Sequence, residues 1–299
     1  MNEPQVTVII PTVADERRGQ TIWRAIESAG PRSGVATRVI VVVNGQRFSP
    51  KLLAQLRAAD GVECTYLEQG SMPPALLVGR NMVTSEFFAF LDDDDEILQD
   101  GLKTRCDVLR ENPEAAFAIS AGWRKTPDAE LPQVSLRASQ IEADPLGSLL
   151  VENWVATSAS GLYRSAAVTA ADFRQMPPYL EWTYLGFRLA SRLPFRFIDT
   201  PTYRRHDLPG TVSKSRAYHA GLIPALHAIL GLPLPASVSR ALRGKLGAAH
   251  HQMSVLDLGD GNRRAAWRHH LDSLARPGGL RYLSYTRRLF LPVPSGPSS

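Results

Sequence analysis

The sequence predicts an α/β fold: a Rossmann-like sheet sandwiched by helices, with a helical C-terminal extension. Three observations predict it. Short β-branched runs alternate with amphipathic stretches over the first hundred residues, the pattern of strands buried on both faces and connected by helices. The fourth run, "FFAFL", leads straight into "DDDDEI", five carboxylates at the exit of a buried strand. Beyond residue 215 the segments read as basic amphipathic helices.

The first strand is "VTVII" (6–10) and the second "RVIVVV" (38–43). Between them "GQTIWRAIESAG" carries Ile22, Trp23, Ile26 and Ala29 as a helical stripe closed by Gly30. "SPKLLAQLRAAD" opens with a Ser-Pro helix start and places Leu52, Leu53 and Leu56 on one face. "VECTYLE" (62–68) reads as a third strand, "PPALLVGRNMVTS" (73–85) as a helix and "FFAFL" (87–91) as the fourth strand. Such alternation makes a parallel sheet, whose ligands bind beyond the carboxyl ends of the strands. The acidic run stands at such an end. Two like charges about 4 Å apart repel by ~4 kcal/mol near a protein surface, so this cluster calls for a counter-charge, and a divalent cation is the obvious one.

With 299 residues, 44% hydrophobic and 21% charged, the composition is that of an ordinary globular chain. "MNEPQVTVIIPT" runs directly into a strand without the basic and apolar regions of a secretory signal. No apolar stretch approaches the ~18 residues of a membrane span. Cys64 and Cys106 have no metal-like spacing, and a reducing cytoplasm is the expected location. The net charge of +5 is uneven: residues 215–299 hold 11 Lys and Arg against 3 Asp and Glu, a net +8, which leaves −3 for 1–214. A mildly acidic main domain argues against nucleic acid. The basic tail suits an anionic membrane, at its inner face, or another acidic partner.

Several sites are excluded. Counted from Asp92, positions six and twelve of an EF-hand loop hold Ile97 and Lys103, not Gly and Glu. "PTVADERRGQT" after the first strand lacks both the dinucleotide glycine fingerprint and the phosphate-loop Lys. No G-x-S-x-G elbow occurs. A nucleotide bound here must have its diphosphate held by a metal rather than by a glycine loop.

In order and spacing, "VTVIIPT", "IWRAIESA", "RVIVVVNG", "GRN" and "FFAFLDDDDEIL" resemble the family 2 glycosyltransferases over roughly residues 5–215. That resemblance implies a GT-A type mixed sheet and splits the chain into a catalytic domain, 1–215, and a basic helical extension, 216–299. It implies a donor site of Pro11, Thr12, Asn44, Arg80, Asp92, Asp93 and Lys214, with Asp94 on the cation and His206 completing the metal or phosphate site. Asp95 and Glu96 would close the turn, and Arg205 and Ser213 would flank the diphosphate. "PPYLEWTYLGFRLASRL" (177–193) resembles the family's helix bearing the catalytic base. Here the usual Glu-Asp pair reads Glu181-Trp182, leaving Glu181 as the base and Trp182 as a platform for the acceptor. Asn44 stands where the family usually has Asp, and Val13-Ala14 replaces Tyr-Asn, so the nucleobase is left open.

The implied activity is inverting transfer of a sugar from a nucleoside diphosphate donor to a hydroxyl of a glycan, glycolipid or small-molecule acceptor. Mg²⁺ or Mn²⁺ would assist, hard oxygen ligands favouring these ions. The alternative is a non-catalytic nucleotide- or glycan-binding protein on a degenerate transferase fold, which the lost acidic residues suggest. A nucleotidyltransferase is disfavoured by the absence of a Gly-rich basic first loop. In the tail, His250-His251 and His269-His270 are adjacent pairs; neighbours on one helix point ~100° apart and cannot share an ion, so a structural role is expected. "LGDGNRRAAWRHHLDSLARPG" looks like half a tetratricopeptide unit, a single copy without a repeat. "GLRYLSYTRRLF" (279–290) mixes arginines with Leu, Tyr and Phe, either against an anionic bilayer or as a packed basic helix.

Overall fold

The computed structural model describes residues 3–155, 157–207 and 215–291. The chain forms two compact units, Met1–Pro209 and Gly210–Ser299. In the first, β1 (Val6–Thr12), α1 (Gly19–Ser28), β2 (Thr37–Asn44), α2 (Pro50–Ala58), β3 (Val62–Leu67), α3 (Met72–Asn81) and β4 (Phe87–Phe90) follow one another as the alternating pattern requires. β1 is buried along its whole length because a central strand is covered on both faces. Its parallel partners are β2, in the register Val6–Thr37 to Thr12–Val43, and β4. α3 lies close against β1: a Cβ on Gly79 would stand 2.3 Å from Ile9 Cγ2, so the glycine of "GRN" sets that distance.

Next come β5 (Glu96–Ile97), α4 (Gly101–Glu111), β6 (Phe117–Ser120), β7 (Trp123–Lys125), β8 (Glu130–Pro132), α5 (Ala138–Ala143) and α6 (Pro145–Val151). The unit closes with β9 (Gly161–Arg164), α7 (Glu181–Ala190), β10 (Phe195–Ile198) and β11 (Tyr203–His206). The main sheet has seven strands in the order β10-β6-β9-β4-β1-β2-β3. It is mixed rather than wholly parallel: β9 enters between β4 and β6 and runs antiparallel to both. A second sheet, β5-β11-β7-β8, pairs the acidic turn with β11. The core beneath the first four strands is Val6, Val8, Ile10, Val39, Val41, Val43, Phe87 and Ala89 with Ile22, Leu53 and Leu56 from the helices.

The second unit is helical, with α8 (Arg216–Leu230), α9 (Ala236–Gly259), α10 (Arg263–Leu274), a 3₁₀ segment over Gly279–Tyr285 and α11 (Thr286–Phe290). Asn262 caps α10 by accepting from the Ala265 amide. Among the described residues no helix is long and apolar enough to cross a membrane.

Candidate active site

The ends of β1, β2 and β4 place the first group of side chains. Asn44, buried at the end of β2, donates from Nδ2 to the Thr12 carbonyl (3.0 Å), and Thr12 Oγ1 donates to Asp93 Oδ2 (2.5 Å). Thr12 Oγ1 also accepts from the Ala14 amide (2.9 Å), where Ala14 sits at φ 48°. Pro11, buried within β1, pairs with Val42. Asn44 thus fastens the β1–β2 exit to the acidic turn. Two arginines that the sequence reading missed supply the counter-charge. Arg18 pairs with Asp93 (3.0 Å) and with Asp94, and Arg24 on α1 donates to the Asp94 carbonyl (2.5 Å). The need for a counter-charge was legible; nothing in the spacing of "DERRGQTIWR" said which arginine would supply it.

Asp92 faces a second group. Burial, with the repulsion of Asp94, Asp93 and Glu181, pushes its carboxyl up to about 7. Ser158 Oγ faces Asp92 and eases that shift without closing a hydrogen bond; Asp92 Oδ1 and Ser158 Oγ are both buried and without a partner. Asp93 is raised to about 6, burial outweighing the Arg18 charge and the Thr12 hydroxyl. Glu181, the first residue of α7, is raised by burial, against hydrogen bonds from backbone amides at Glu181 and Tyr179. Tyr179 is left-handed, φ 73°, an uncommon conformation for a bulky residue and one concentrated at functional sites. The fold therefore brings Asp92, Ser158 and Glu181 together. Trp182 packs its indole on Phe90 of β4, centroids 5.3 Å apart, and so belongs partly to the core beneath the site.

The remaining expected residues lie elsewhere. Asp95 is structural: Oδ1 accepts from the His206 amide (3.0 Å) and Oδ2 from Thr157 Oγ1 (3.2 Å). The His206 imidazole, expected on the cation, is taken up by Glu96, Nε2 to Oε1 at 3.1 Å. Hydrogen bonds from Arg204 and His206 outweigh burial and hold the Glu96 carboxyl below its usual range. Arg80, expected at the donor site, is buried on α3, donates to the carbonyls of Ser165 (2.7 Å) and Val168 (3.0 and 3.1 Å), and lies 4.6 Å from the Phe88 ring centroid. Through Nε and Nη2 it clamps the segment after β9. Arg205 and Arg124 pair with Asp207, at 3.5 and 3.4 Å. Lys214 and Ser213 lie outside the described residues.

The donor set suits a hard divalent cation. A Mg²⁺-type ion needs only one or two carboxylates, completing its shell with water and substrate phosphate oxygens. Asp94, a fifth exposed, and the orphaned Asp92 Oδ1 supply that number. A further carboxylate at the same strand exit, Asp15, also has a buried, unpartnered Oδ1.

A family model described as "Glycosyl transferase family 2" matches residues 7–168, more than half of the chain. Among solved structures, residues 1–349 of S. aureus TarS in complex with UDP-GlcNAc align at a TM-score of 0.61 and 14% identity, covering 95% of this chain and 88% of that one. The same fragment in complex with UDP gives 0.55 at 14% identity, covering 95% and 87%. TarS itself gives 0.57 at 16% identity, covering 95% of this chain and 53% of the longer protein. At these identities the likeness speaks for the fold. No curated protein matches the sequence.

Proposed function

The chain belongs to glycosyl transferase family 2, and from that premise we propose that it moves a sugar from a uridine diphosphate sugar to an acceptor hydroxyl, with inversion and with Glu181 as general base. It is a nucleotide-sugar glycosyltransferase. Uridine is the base to try first, because the structural neighbours carry UDP-GlcNAc and UDP.

The observation that carries this reading is that Asp92 and Glu181 share one buried site: burial raises both carboxyls, and the charge of Glu181 adds to the rise of Asp92. Ser158 Oγ, orphaned beside Asp92, is a donor available to a sugar hydroxyl. The Asp15 oxygen is an acceptor available to the imide N–H of uracil. Glu181 takes the proton from the acceptor hydroxyl as the oxygen attacks the anomeric carbon and the C–O bond to the diphosphate breaks. One base and one displacement invert the anomeric centre. Mg²⁺ or Mn²⁺ on Asp94 and Asp92 would neutralise the leaving diphosphate. Arg18 and Arg24, already on the turn, supply fixed positive charge beside it. The acceptor class is a glycan, a glycolipid or a small metabolite.

Calorimetric titration with UDP in Mg²⁺ and in EDTA is the test. Binding in Mg²⁺ only is expected, and Asp94→Asn should abolish that dependence while leaving the melting temperature near the parent's. Equal affinity with and without the cation would remove Asp94 from the donor site. Binding without turnover of any sugar nucleotide would favour the non-catalytic reading.

A further inference from the structure

One of each adjacent histidine pair meets the other across two helices. His250 on α9 and His269 on α10 stand with their Nδ1 atoms 2.9 Å apart and their ring centroids 5.2 Å apart. Asp272, one turn beyond His269, brings Oδ2 to 3.7 Å from His250 Nδ1. Among the described residues this is the one group of three His, Cys, Asp or Glu side chains whose ligand atoms all lie within 4.8 Å of one another. The structural role expected for these histidines from the sequence treated each helix alone, where adjacent side chains diverge. The fold pairs them between helices instead. We propose that His250, His269 and Asp272 form a binding site for a transition-metal cation of the Zn²⁺ class.

The donor set selects the ion. Two imidazoles and one carboxylate suit Zn²⁺, Co²⁺ or Ni²⁺, whereas Mg²⁺ and Ca²⁺ take oxygen. Tetrahedral bonds of ~2.0–2.1 Å put neighbouring ligand atoms about 3.3 Å apart. The observed separations of 2.9 and 3.7 Å straddle that value, so small side-chain shifts suffice and the helices need not move. His250 is buried, while about half of the Asp272 side chain is exposed. One side is therefore open to a water as fourth ligand.

A second observation stands behind the first. Asp257, 2% exposed, has an Oδ2 that is buried and without a hydrogen-bond partner, 3.8 Å from His269 Nε2. Its other oxygen is held by Arg216. A metal on His269 Nδ1 fixes the ring proton on Nε2, and the carboxylate waiting behind that nitrogen is the usual outer partner of a metal-bound histidine. The neighbouring charges are mixed. His227 and Arg276 face His250, while Arg268 and Arg216 face His269, with Asp257 and Asp272 opposing them. The other two histidines take up structural partners: His251 stacks on Tyr282 at 4.0 Å, and His270 Nε2 meets Thr286 Oγ1 at 2.8 Å. A cation here would staple α9 to α10.

The test uses the untagged full-length protein, stripped with chelator and titrated with Co²⁺. One equivalent per chain should produce visible d–d absorption of a low-coordinate site. Zn²⁺ should displace it and excess Mg²⁺ should not, and Zn²⁺ should raise the melting temperature. Asp272→Asn, at a half-exposed position that does not threaten folding, should weaken Co²⁺ binding at least tenfold. Asp257→Asn should weaken it ~10–100-fold as an outer partner does. His269→Ala should abolish the band, and Asp94→Asn should leave it unchanged. Absence of a one-equivalent band, or a band that persists in both Asp272→Asn and His269→Ala, overturns the proposal and leaves a His–His hydrogen bond between helices.

Discussion

Glu181 shows how one carboxyl can be prepared for a task at a cost to the fold. Burial lifts its pKa above 4.5 while amides at Tyr179 and Glu181 pull it down, and the left-handed Tyr179 presents that backbone. A base works deprotonated, so kcat/KM should rise with pH along a limb lying above 4.5. Glu181→Gln keeps the shape and removes the acceptor; turnover should fall by ~10²-fold or more with UDP affinity nearly unchanged. The same shift fixes the sign of a stability effect. A carboxyl that holds its proton more tightly folded than unfolded favours the fold below its unfolded pKa, and that advantage is lost as pH rises through the folded value. Glu181→Gln cannot ionise, so its melting temperature relative to the parent should be higher at pH 8 than at pH 4. Parent-like turnover would move the base elsewhere, and Asp207, the candidate beside His206, is already engaged by Arg124 and Arg205. Which residues sat at the strand exits was legible, because acidic runs after buried strands are local. The structural partners of Arg80 were not legible, because Ser165 and Val168 are more than eighty residues away. Tyr179 carried no signal at all, since nothing about a tyrosine announces a positive φ.

At the scale of elements, the question is what holds the start of α7, where Trp182 packs on Phe90 of β4. Asn153 donates to Thr183 Oγ1 (2.8 Å) in the first turn. At the other end Arg188 and Arg192 converge on Asp172, which is 4% exposed and also accepts from the Thr169 amide (2.9 Å). Removing one partner of a buried ion pair costs ~3–5 kcal/mol. Both arginines are partly exposed and can return to water, so Asp172→Ala should cost about 2–3 kcal/mol in urea unfolding. Because it loosens α7, turnover should drop more than UDP affinity does. A loss below ~0.5 kcal/mol would make the arginines ordinary surface groups. β11 has its own anchor: Arg105, fully buried and lowered by that burial to about 10, donates to Thr202 Oγ1 (2.7 Å) just before the strand. The first four strands and three helices could be read because β-branched runs and apolar stripes are local patterns. The mixed character of the sheet came only from the family resemblance, and neither the antiparallel pairing of β9 nor the small sheet through β5 and β11 could be read from local patterns. Their partners are distant in sequence, and a two-residue strand has no period to detect.

At the scale of the whole chain, charge is divided: −3 over residues 1–214 and +8 over 215–299. The sequence left segment 279–290 as either a bilayer contact or a packed helix, and the structure shows it packed on one side and bare on the other. Tyr285 and Leu289 form a small core with Ala266, Leu258 and Trp267. Leu280, Leu283, Phe290 and the neighbouring Leu291 are more than half exposed, and Arg281, Arg287 and Arg288 are exposed beside them. Deleting the segment would therefore open the helical unit's own core and could not separate membrane binding from unfolding. Substitution on the bare side can. Each arginine near an anionic surface contributes about 1 kcal/mol, so replacing Arg281, Arg287 and Arg288 by Gln should weaken binding to phosphatidylserine vesicles by roughly two decades at low salt. Parent binding should itself fade as salt rises, because exposed charges are screened within about 10 Å at 0.1 M. The melting temperature should barely move, since none of the three arginines is buried. Failure of the parent to bind such vesicles at low salt, or equal binding by the triple variant, would leave the exposed leucines and Phe290 to some other partner and the tail's charge without a membrane role.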